Sequence, residues 1–396
     1  MPSPSPRVAV VGDGIFALAA CAELLRRGYR VELCTSAAFP NPLAESTDIS
    51  KIVRLDYGAD ALYTAEMERA LDGWRRWNAA WREPLFHETG VAFLCREPMS
   101  PGGFEHESYR LLTARGHRLE RLDAASIGRR FPAWNNRRFV DGYYNPAGGY
   151  AESSKVLRGL LAEIAEHERM AVWSGAVVDR VIERGSRVVG LGWPDGKTRS
   201  YEHVVIAAGA WTPALVPHLG AHLRSVGQPV FHLRPADAAA FSVERFPVFG
   251  ADIARTGYYG FPVTASGVVK IANHGVGRAM DPDSSTRAVS AVEVAALRDF
   301  LRDALPGLAD APLDANRICV YCDTRDEHFW IARDPEREGL VVATGGSGHA
   351  FKFAPLLGEW IADALEGNSS PALDRFRWRT DLASARGQEA ARHHAD

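Results

Sequence analysis

The pattern of hydrophobic and polar positions near the start of the chain predicts a β-α-β unit. Arg7–Gly12 is a short apolar run that ends in a glycine turn. Ile15–Arg27 is rich in alanine, has helical character and ends at Gly28, and Arg30–Cys34 is a second short apolar run. Short apolar runs bounded by glycine are typical of buried strands, and an alanine-rich segment between them is typical of a connecting helix.

Periodic patterns continue along the chain and indicate two kinds of sheet. Apolar residues at helical spacing predict the helices Ala61–Trp81, Ser153–His167, Val289–Leu305 and Pro355–Leu365. Short apolar runs predict the strands Glu88–Cys95, Arg138–Tyr144, Val172–Ile182, Val188–Trp193, His203–Ile206 and Leu340–Ala343. A second, more antiparallel sheet is expected to contain the strands Gln228–Arg234, Gly257–Phe261 and Val268–Ala272.

Pieces typical of a nucleotide-binding fold thus occur at the start, in the middle and near the end of the chain. We predict an α/β protein in which a Rossmann-like domain is interleaved with an α+β substrate domain that has a mostly antiparallel sheet. The segments assigned to the Rossmann-like domain are 7–86, 150–220 and 322–380. The segments assigned to the substrate domain are 87–149 and 221–321, and the polar tails expected to be flexible are 1–6 and 381–396.

Composition excludes several classes of protein. The chain of 396 residues is 46% hydrophobic and 24% charged with a formal net charge of -3, so neither a nucleic acid nor a membrane surface is expected as a partner. Since no apolar run approaches the roughly 18 residues of a membrane span, no transmembrane helix is expected. The first residues lack the pattern of a signal peptide, and five cysteines without framework spacing favour a reducing cytoplasm.

The segment Gly12–Ala17 has the pattern G-x-G-x-x-A directly after the first predicted strand. Gly12 and Gly14 allow a tight turn and close approach to a pyrophosphate, and Ala17 lets the helix pack closely on the strand. The helix that starts near Ile15 and Phe16 directs its amino end towards the anion. The pattern predicts a dinucleotide site, although it does not by itself separate NAD from FAD.

The acid that binds the ribose in such sites normally ends the second strand, where this chain has Thr35 and Ser36. Glu32 has the usual spacing of about 20 residues from Gly12, but it lies earlier in the strand. The sequence is equally consistent with Glu32 as a ribose-binding residue and with Glu32 as an ion-paired strand residue. A hydroxyl contact from Thr35 or Ser36 to the ribose is the alternative.

The stretch Ile318–Phe353 carries the most specific chemistry. Cys319 is followed by a glycine-rich turn, a lysine and an apolar helix, which predicts a site that holds and tethers a flat, electron-poor cofactor. The residues of this turn expected at the cofactor are Gly346, Ser347, Gly348, His349 and Lys352. A small buried hydrophobe is the competing reading of Cys319. Cys322 completes a Cys-x-x-Cys pattern, but without a second pair it indicates a structural residue and no metal.

With these motifs, the chain resembles the monomeric sarcosine oxidase family of FAD-dependent amine oxidases, which also includes fructosyl-amino-acid oxidases and N-methyl-amino-acid oxidases. The resemblance extends from Val8 to about Gly367. The segments that carry it are Lys51–Gly58, Tyr258–Pro262, Cys319–Tyr321, Asp326–Phe329 and Gly346–Phe353. It implies FAD joined by a thioether from Cys319 to the 8α-methyl carbon of the ring, with further cofactor contacts from Val178, Ala208, Gly209 and Trp211.

The resemblance also implies roles for the basic residues. Arg54 and Lys352 would bind the substrate carboxylate, and their other reading is a pair of solvated surface cations. Lys270 would face the flavin and promote its reaction with dioxygen, whereas the strand alone is equally consistent with a solvent-facing lysine. Tyr259 and His274 would line the substrate cavity, although a lone histidine is more often structural. The remaining residue, Lys51, would lie near the flavin ring.

These features predict an FAD-dependent, cytoplasmic and monomeric oxidase of a secondary amine with a carboxylate, of N-methyl or N-fructosyl type. A hydride equivalent would pass to the flavin, and dioxygen would be reduced to hydrogen peroxide. Thr47 stands where the sarcosine-specific members have histidine, and Asp48-x-x-Lys51-Ile52 leans towards the fructosyl branch. The alternatives are a biosynthetic oxidase of cyclic amines or imines, a dehydrogenase with another acceptor, and a flavin-carrying binding protein without turnover.

Overall fold

The computed structural model describes residues 5–35, 39–175, 177–382 and 385–394. Its α-helices, numbered in chain order, are α1 (Ile15–Arg26), α2 (Ala61–Ala80), α3 (Phe104–Ala114), α4 (Ala124–Arg130), α5 (Ser153–Ala165), α6 (Thr212–Leu215), α7 (Ile253–Thr256), α8 (Ala291–Ala304), α9 (Ala354–Glu366) and α10 (Pro371–Phe376). Across these described ranges, no helix combines the length and the apolar character needed to cross a membrane.

The strands of the described residues form two large and two small sheets. Numbered in chain order, they are β1 (Arg7–Val11), β2 (Arg30–Thr35), β3 (Lys51–Val53), β4 (Phe86–His87), β5 (Val91–Cys95), β6 (Glu120–Asp123), β7 (Asp141–Asn145), β8 (Gly149–Ala151), β9 (Met170–Ser174), β10 (Arg180–Arg184), β11 (Arg187–Gly192), β12 (Thr198–Ser200), β13 (His203–Ile206), β14 (Leu223–Leu233), β15 (Val248–Ala251), β16 (Tyr258–Gly260), β17 (Val269–Asn273), β18 (Arg278–Ala279), β19 (Leu313–Thr324), β20 (Trp330–Arg333) and β21 (Leu340–Thr344).

The first large sheet has the order β20-β21-β13-β1-β2-β9. Its pairs are parallel except β20 with β21, and Val10 lies opposite Leu33 on one side and Val205 on the other. Strands covered on both faces need apolar residues at successive positions, which is why β1 is a continuous run of Val and Ala. The predicted β-α-β unit and the α/β class are confirmed.

Helix α1 packs against α9 at Gly358, which permits an unusually close approach. A Cβ atom at Gly358 would lie 2.3 Å from the carbonyl oxygen of Ala19. The Ala19 oxygen belongs to the backbone of α1, and the added Cβ would be fixed to the backbone of α9. The collision therefore cannot be relieved by rotating a side chain. Helices α1 and α9, which come from opposite ends of the sequence, thus pack together on one face of the first large sheet.

Gly358→Ala is therefore expected to lower the free energy of unfolding by about 1–3 kcal/mol, because one extra carbon separates α1 from α9. Gly159 in α5 is the matched control, since the nearest atom to its added Cβ would be 3.9 Å away. Gly159→Ala should raise stability by roughly 0.5–1 kcal/mol through helix propensity alone. Urea denaturation measures both, and shifts of the same sign would contradict the close-packing argument.

The second large sheet has the order β18-β14-β17-β16-β15-β5-β7-β6, and β19 pairs with the edge of β14. Its pairs are antiparallel except β5 with β15, so the prediction of a mostly antiparallel second sheet is confirmed. The register of β14 and β19 places Cys319 opposite Gln228. The domain boundaries themselves stay a prediction.

The predicted strand Val172–Ile182 does not exist as one element. Its residues divide between β9, at the edge of the first large sheet, and β10, which pairs with β11 in a small sheet. Gly175, directly after β9, has a φ of 73°. Helix α3 was not predicted from the sequence, and Gly102 and Gly103 stand directly before it.

Part of the segment expected to form a flexible tail packs into the molecule. Ala391 is fully buried, and Glu389 and Arg392 are also buried. Arg392 pairs with Asp323 at 2.7 Å and with Glu327 at 3.2 Å. These polar contacts join residues far apart in sequence, so the local pattern of the segment gives no sign of them.

Candidate active site

An elongated cavity lies where the parallel strands β1, β13 and β21 end. The carboxyl ends of neighbouring parallel strands meet at one edge of a sheet, and this edge is the usual ligand site of open α/β sheets. The lining residues from the loops that follow these strands are Asp13, Gly14, Ile15, Phe16, Ala207, Ala208, Gly209, Ala210, Trp211, Gly345, Gly346 and Gly348. Other residues that line the cavity are Ala44, Glu45, Ser46, Lys51, Val320, Cys322, Thr344, Ala350 and Phe351. Half of the predicted cofactor residues are brought together here, namely Gly14, Ile15, Phe16, Ala208, Gly209, Trp211, Gly346 and Gly348.

The amino-terminal glycine motif has the geometry that its pattern predicts. Gly12 has a φ of 138°, and a Cβ atom there would lie 2.2 Å from the carbonyl oxygen of Ala207. Gly14 precedes α1, and the Ile15 N–H at the helix start donates to Ser46 Oγ at 3.0 Å. Gly12 thus permits close packing of the β1 and β13 ends, while Gly14 and Ile15 face the cavity. Ser46 was not predicted, because no motif marks it.

The second glycine turn, after β21, is shaped by Tyr321 and Ser347. A Cβ atom on Gly348, whose φ is 75°, would lie 2.2 Å from the Tyr321 ring. The buried Ser347 has a φ of 47°, and its N–H donates to the carbonyl oxygen of Cys322 at 3.0 Å. Its Oγ donates to the carbonyl oxygen of Gly345. Ser347 holds the turn, whereas Gly346 and Gly348 line the cavity.

Seven described residues among the predicted cofactor residues do not line this cavity, namely Gly12, Thr35, Val178, Cys319, Ser347, His349 and Lys352. Thr35 and Val178 are buried elsewhere, and Ser36 lies outside the described residues. Glu32 accepts hydrogen bonds from Arg7 at 2.6 Å, and also from Tyr201 and Trp173. Of the two interpretations of Glu32, the structure agrees with the one in which it is an ion-paired strand residue.

Cys319 and Cys322 lie on opposite faces of β19, since side chains alternate along a strand. Cys319 is buried with Tyr321 and next to Tyr259, and its Sγ lies 3.9 Å from the carbonyl oxygen of Glu45. Cys322 lines the elongated cavity, and its Sγ lies 3.3 Å from Thr344 Oγ1. Burial raises the pKa of the Cys322 thiol to about 12.

A second, smaller cavity of about 20 Å³ lies beside the glycine turn after β21. Its wall brings together four of the predicted substrate residues, Arg54, Tyr259, His274 and Lys352, with His349. These residues come from distant segments of the chain. Arg54 directly follows β3, Tyr259 lies in β16, and His274 directly follows β17. Ile52, Ile253 and Gly348 supply the apolar part of the wall.

The Arg54 side chain is buried and forms an ion pair with the carboxylate of Glu389. Its Nη2 lies 2.8 Å from Glu389 Oε1, while Glu389 Oε2 lies 3.1 Å from His274 Nε2. Burial alone would raise the pKa of Glu389, but the His274 hydrogen bond and the Arg54 charge hold it well below its usual range. Arg54 Nη1 has no hydrogen-bond partner among the described residues. The reading of Arg54 as a solvated surface cation is excluded.

Lys352 starts a directed chain of hydrogen bonds. Its Nζ donates to Tyr57 Oη at 2.9 Å, and Tyr57 Oη lies 2.9 Å from His349 Nδ1. His349 Nε2 lies 3.0 Å from the carbonyl oxygen of Glu327, so this nitrogen carries the proton and Nδ1 accepts from Tyr57. Burial and the charge of Arg54 lower the pKa of Lys352 well below its ordinary value.

Lys270 points into the interior and forms an ion pair with Asp48. Its side chain is 1% exposed, and its Nζ lies 2.7 Å from Asp48 Oδ2 and donates to the carbonyl oxygen of Ser50 at 2.5 Å. Burial lowers the pKa of Lys270 to about 8, against the opposing effect of Asp48. The reading of Lys270 as a solvent-facing strand residue is excluded.

A family model described as FAD dependent oxidoreductase, abbreviated DAO, matches residues 7–364. The chain belongs to this family. The glycines that leave room for close backbone approach and the helix end at Gly14 and Ile15 fit the FAD of such an enzyme. The elongated cavity is accordingly named the flavin cavity below.

Two curated relatives align along almost the whole chain. The monomeric sarcosine oxidase of Bacillus sp. (strain B-0618) is 26% identical over 374 residues, which cover 93% of this chain and 94% of the relative. The N-methyl-L-tryptophan oxidase of Salmonella arizonae is 29% identical over 375 residues, which cover 93% of this chain and 97% of the relative. These proteins agree with the predicted family.

Among solved structures, the chain is similar to fructosyl amine: oxygen oxidoreductase (Amadoriase I) from Aspergillus fumigatus. The TM-score is 0.82 at 25% sequence identity, and the match covers 100% of this chain and 95% of that one. The fold predicted from the sequence is confirmed by this similarity.

Proposed function

We propose that the protein is an FAD-dependent oxidase of a secondary amine that carries a carboxylate, namely an N-substituted amino acid of N-methyl or N-fructosyl type. The observation that carries this proposal is the pairing of Arg54 and His274 with a buried carboxylate, that of Glu389, beside Lys352. Similarity to oxidases named for sarcosine, N-methyltryptophan and fructosyl amines supports the same substrate class.

In this proposal, the protein acts mainly through positioning. The planar guanidinium group of Arg54 binds the substrate carboxylate through its N–H donors, and the ammonium group of Lys352 contributes a second donor. The amine loses a hydride from carbon and a proton from nitrogen, and the resulting imine is hydrolysed by water. FAD, when bound, accepts the hydride equivalent and allows dioxygen to be reduced to hydrogen peroxide. The desolvated cavity strengthens each electrostatic contact and fixes the substrate near the flavin cavity.

Two hydrogen bonds fix the position of Lys352. Its Nζ donates to Tyr57 Oη and to the carbonyl oxygen of His349, each at 2.9 Å, so the lysine cannot turn away without breaking both bonds. Burial and Arg54 lower its pKa, whereas a substrate carboxylate near Lys352 would favour the charged form. In this proposal the lysine is a cation when the anion is bound.

Assays of N-methyl, N-fructosyl and cyclic amino acids side by side test the function. We expect an N-methyl or N-fructosyl substrate to bleach the flavin under argon and to generate hydrogen peroxide in air. Turnover of cyclic amines alone would favour the biosynthetic reading, and bleaching without peroxide would favour a dehydrogenase. A flavin that no amine bleaches would overturn the proposal and favour a binding protein.

We further propose that Cys319 carries FAD through a thioether. Its buried position beside the carbonyl oxygen of Glu45, on the strand that borders the flavin cavity, supports this role. Cys322 serves as a matched control, since it lies on the same strand but is held against Thr344. All five cysteines are buried, and none forms a disulfide.

Acid precipitation of the holoenzyme tests the tether. The wild-type and Cys322→Ser proteins are expected to give yellow pellets, because a thioether survives denaturation. The Cys319→Ser protein should give a colourless pellet and a yellow supernatant. A yellow pellet from Cys319→Ser would show that Cys319 is not the attachment point.

A further inference from the structure

The C-terminal segment 385–394 contacts two residues of the small cavity wall, Arg54 and His274, through Glu389. The Glu389 side chain is 1% exposed, and each of its carboxylate oxygens has a partner in the cluster of predicted substrate residues. Oε1 lies 2.8 Å from Arg54, and Oε2 lies 3.1 Å from His274. A substrate carboxylate that paired with Arg54 Nη2 and His274 Nε2 would need the position that this side chain fills.

A second set of contacts fixes the segment to the body of the protein. Arg392 pairs with Asp323 at 2.7 Å and with Glu327 at 3.2 Å, and its Nε donates to the carbonyl oxygen of Gly275 at 3.0 Å. The Glu389 N–H donates to Glu327 Oε2 at 3.1 Å. The fully buried Ala391 packs in an apolar cluster that includes Phe104 and Ile253. The segment is thus fixed at Glu389 itself and at the residues that follow it.

Little free space remains beside this ion pair. The cavity next to Arg54 and Lys352 has a volume of about 20 Å³, which is on the order of the space for one water molecule. A ligand carboxylate that takes both the Arg54 Nη2 and the His274 Nε2 contacts can therefore bind only after Glu389 has withdrawn.

Exchange of one carboxylate for another preserves the ion pair of Arg54. Withdrawal of Glu389 without replacement would leave Arg54 as a buried, unpaired charge, which is strongly unfavourable. A ligand carboxylate restores the pair and so offsets this cost, whereas an amine without a carboxylate does not. The segment can thereby favour one class of ligand over another.

We propose that segment 385–394 is an internal competitor for the carboxylate position, in which Glu389 imitates a ligand carboxylate and yields only to a ligand that has one. Glu389 is then a specificity-determining residue that disfavours amines without a carboxylate. The inference rests on the proposed function, because it takes Arg54 as the partner of the substrate carboxylate.

Calorimetric titration of the holoenzyme with acetate tests the competition. Glu389→Gln removes the competing charge and is expected to lower the Kd of acetate by about tenfold or more. Glu336→Gln is the matched control, since Glu336 is 82% exposed and changes the net charge equally. It should bind acetate like the wild type. Equal or weaker binding by Glu389→Gln would overturn the proposal.

Hydrogen exchange of the wild-type holoenzyme tests displacement without any variant. Saturation with acetate is expected to increase exchange at the backbone amides of Glu389 and His393, whose N–H groups donate to Glu327 and to the carbonyl oxygen of His274. Unchanged or slower exchange would show that acetate binds without moving the segment, and the proposal would fail even if Glu389→Gln bound acetate more tightly.

The two proposals fail in different ways. If acetate behaves as expected and no amine bleaches the flavin, the proposed function is wrong and the internal competitor stands. If carboxylated amines are oxidised but neither acetate affinity nor exchange changes as expected, the internal competitor is wrong and the proposed function stands.

Discussion

Arg54→Gln is expected to lower kcat/KM for a carboxylated amine by about 10²–10³-fold, because a buried charged contact to the substrate is lost. The same change should lower the free energy of unfolding by about 3–5 kcal/mol, since Glu389 remains as an uncompensated buried carboxylate. Initial rates and urea denaturation measure the two effects on one preparation.

The double variant Arg54→Gln with Glu389→Gln separates these two effects. Removing both charges should restore most of the lost stability, because neither partner is left buried and unpaired. Catalytic efficiency should stay low, because the substrate carboxylate still lacks its guanidinium partner. Recovery of activity together with stability would show that Arg54 serves the fold alone.

Lys270→Met is expected to slow reoxidation of the reduced flavin by dioxygen by about 10²-fold, because a preorganised cation no longer stabilises developing negative charge. Reduction by the amine under argon should change by much less. Stopped-flow absorbance measures both half-reactions. Lys270→Arg is the control, since it keeps the charge next to Asp48. Equal slowing of both half-reactions by Lys270→Met would contradict a specific role with oxygen.

The pH dependence of reoxidation follows from the buried position of Lys270. Burial lowers the pKa of this ammonium to about 8, so the charged form dominates below that pH and is lost above it. The reoxidation rate should therefore fall as the pH rises through about 8, whereas Lys270→Met should lack this step. A profile that is flat in the wild type from pH 7 to pH 9 would argue against the lysine charge.

Motifs with fixed local spacing were sufficient to predict the nucleotide-binding half of the fold. Gly12 and Gly14 must be glycine for reasons that operate within one turn, so a short pattern reveals them. Val10 likewise belongs to a strand whose neighbours cover both faces, which leaves a continuous apolar run. The association of Arg54 with Lys352 depended instead on resemblance to a family, because nearly the whole chain separates them.

Other parts of the site carried no local signal. Glu389 lies in a polar segment without apolar periodicity, so its ion pair with Arg54 is visible only after the chain has folded. Asp48 was noted as part of a motif, but its pairing with Lys270 depends on the meeting of two distant segments. Burial of such charges depends on tertiary partners, which propensity and periodicity do not encode.

The interleaved first sheet has a consequence for synthesis on the ribosome. Strand β1 is made first, yet β13 fills its second edge only after residue 206, and β21 covers β13 only after residue 344. A nascent chain shorter than this exposes an unpaired apolar strand edge, which is prone to association with other chains. Fragments that stop before β21 should therefore aggregate, and chaperone dependence during translation should persist until β21, which ends at Thr344, has been made.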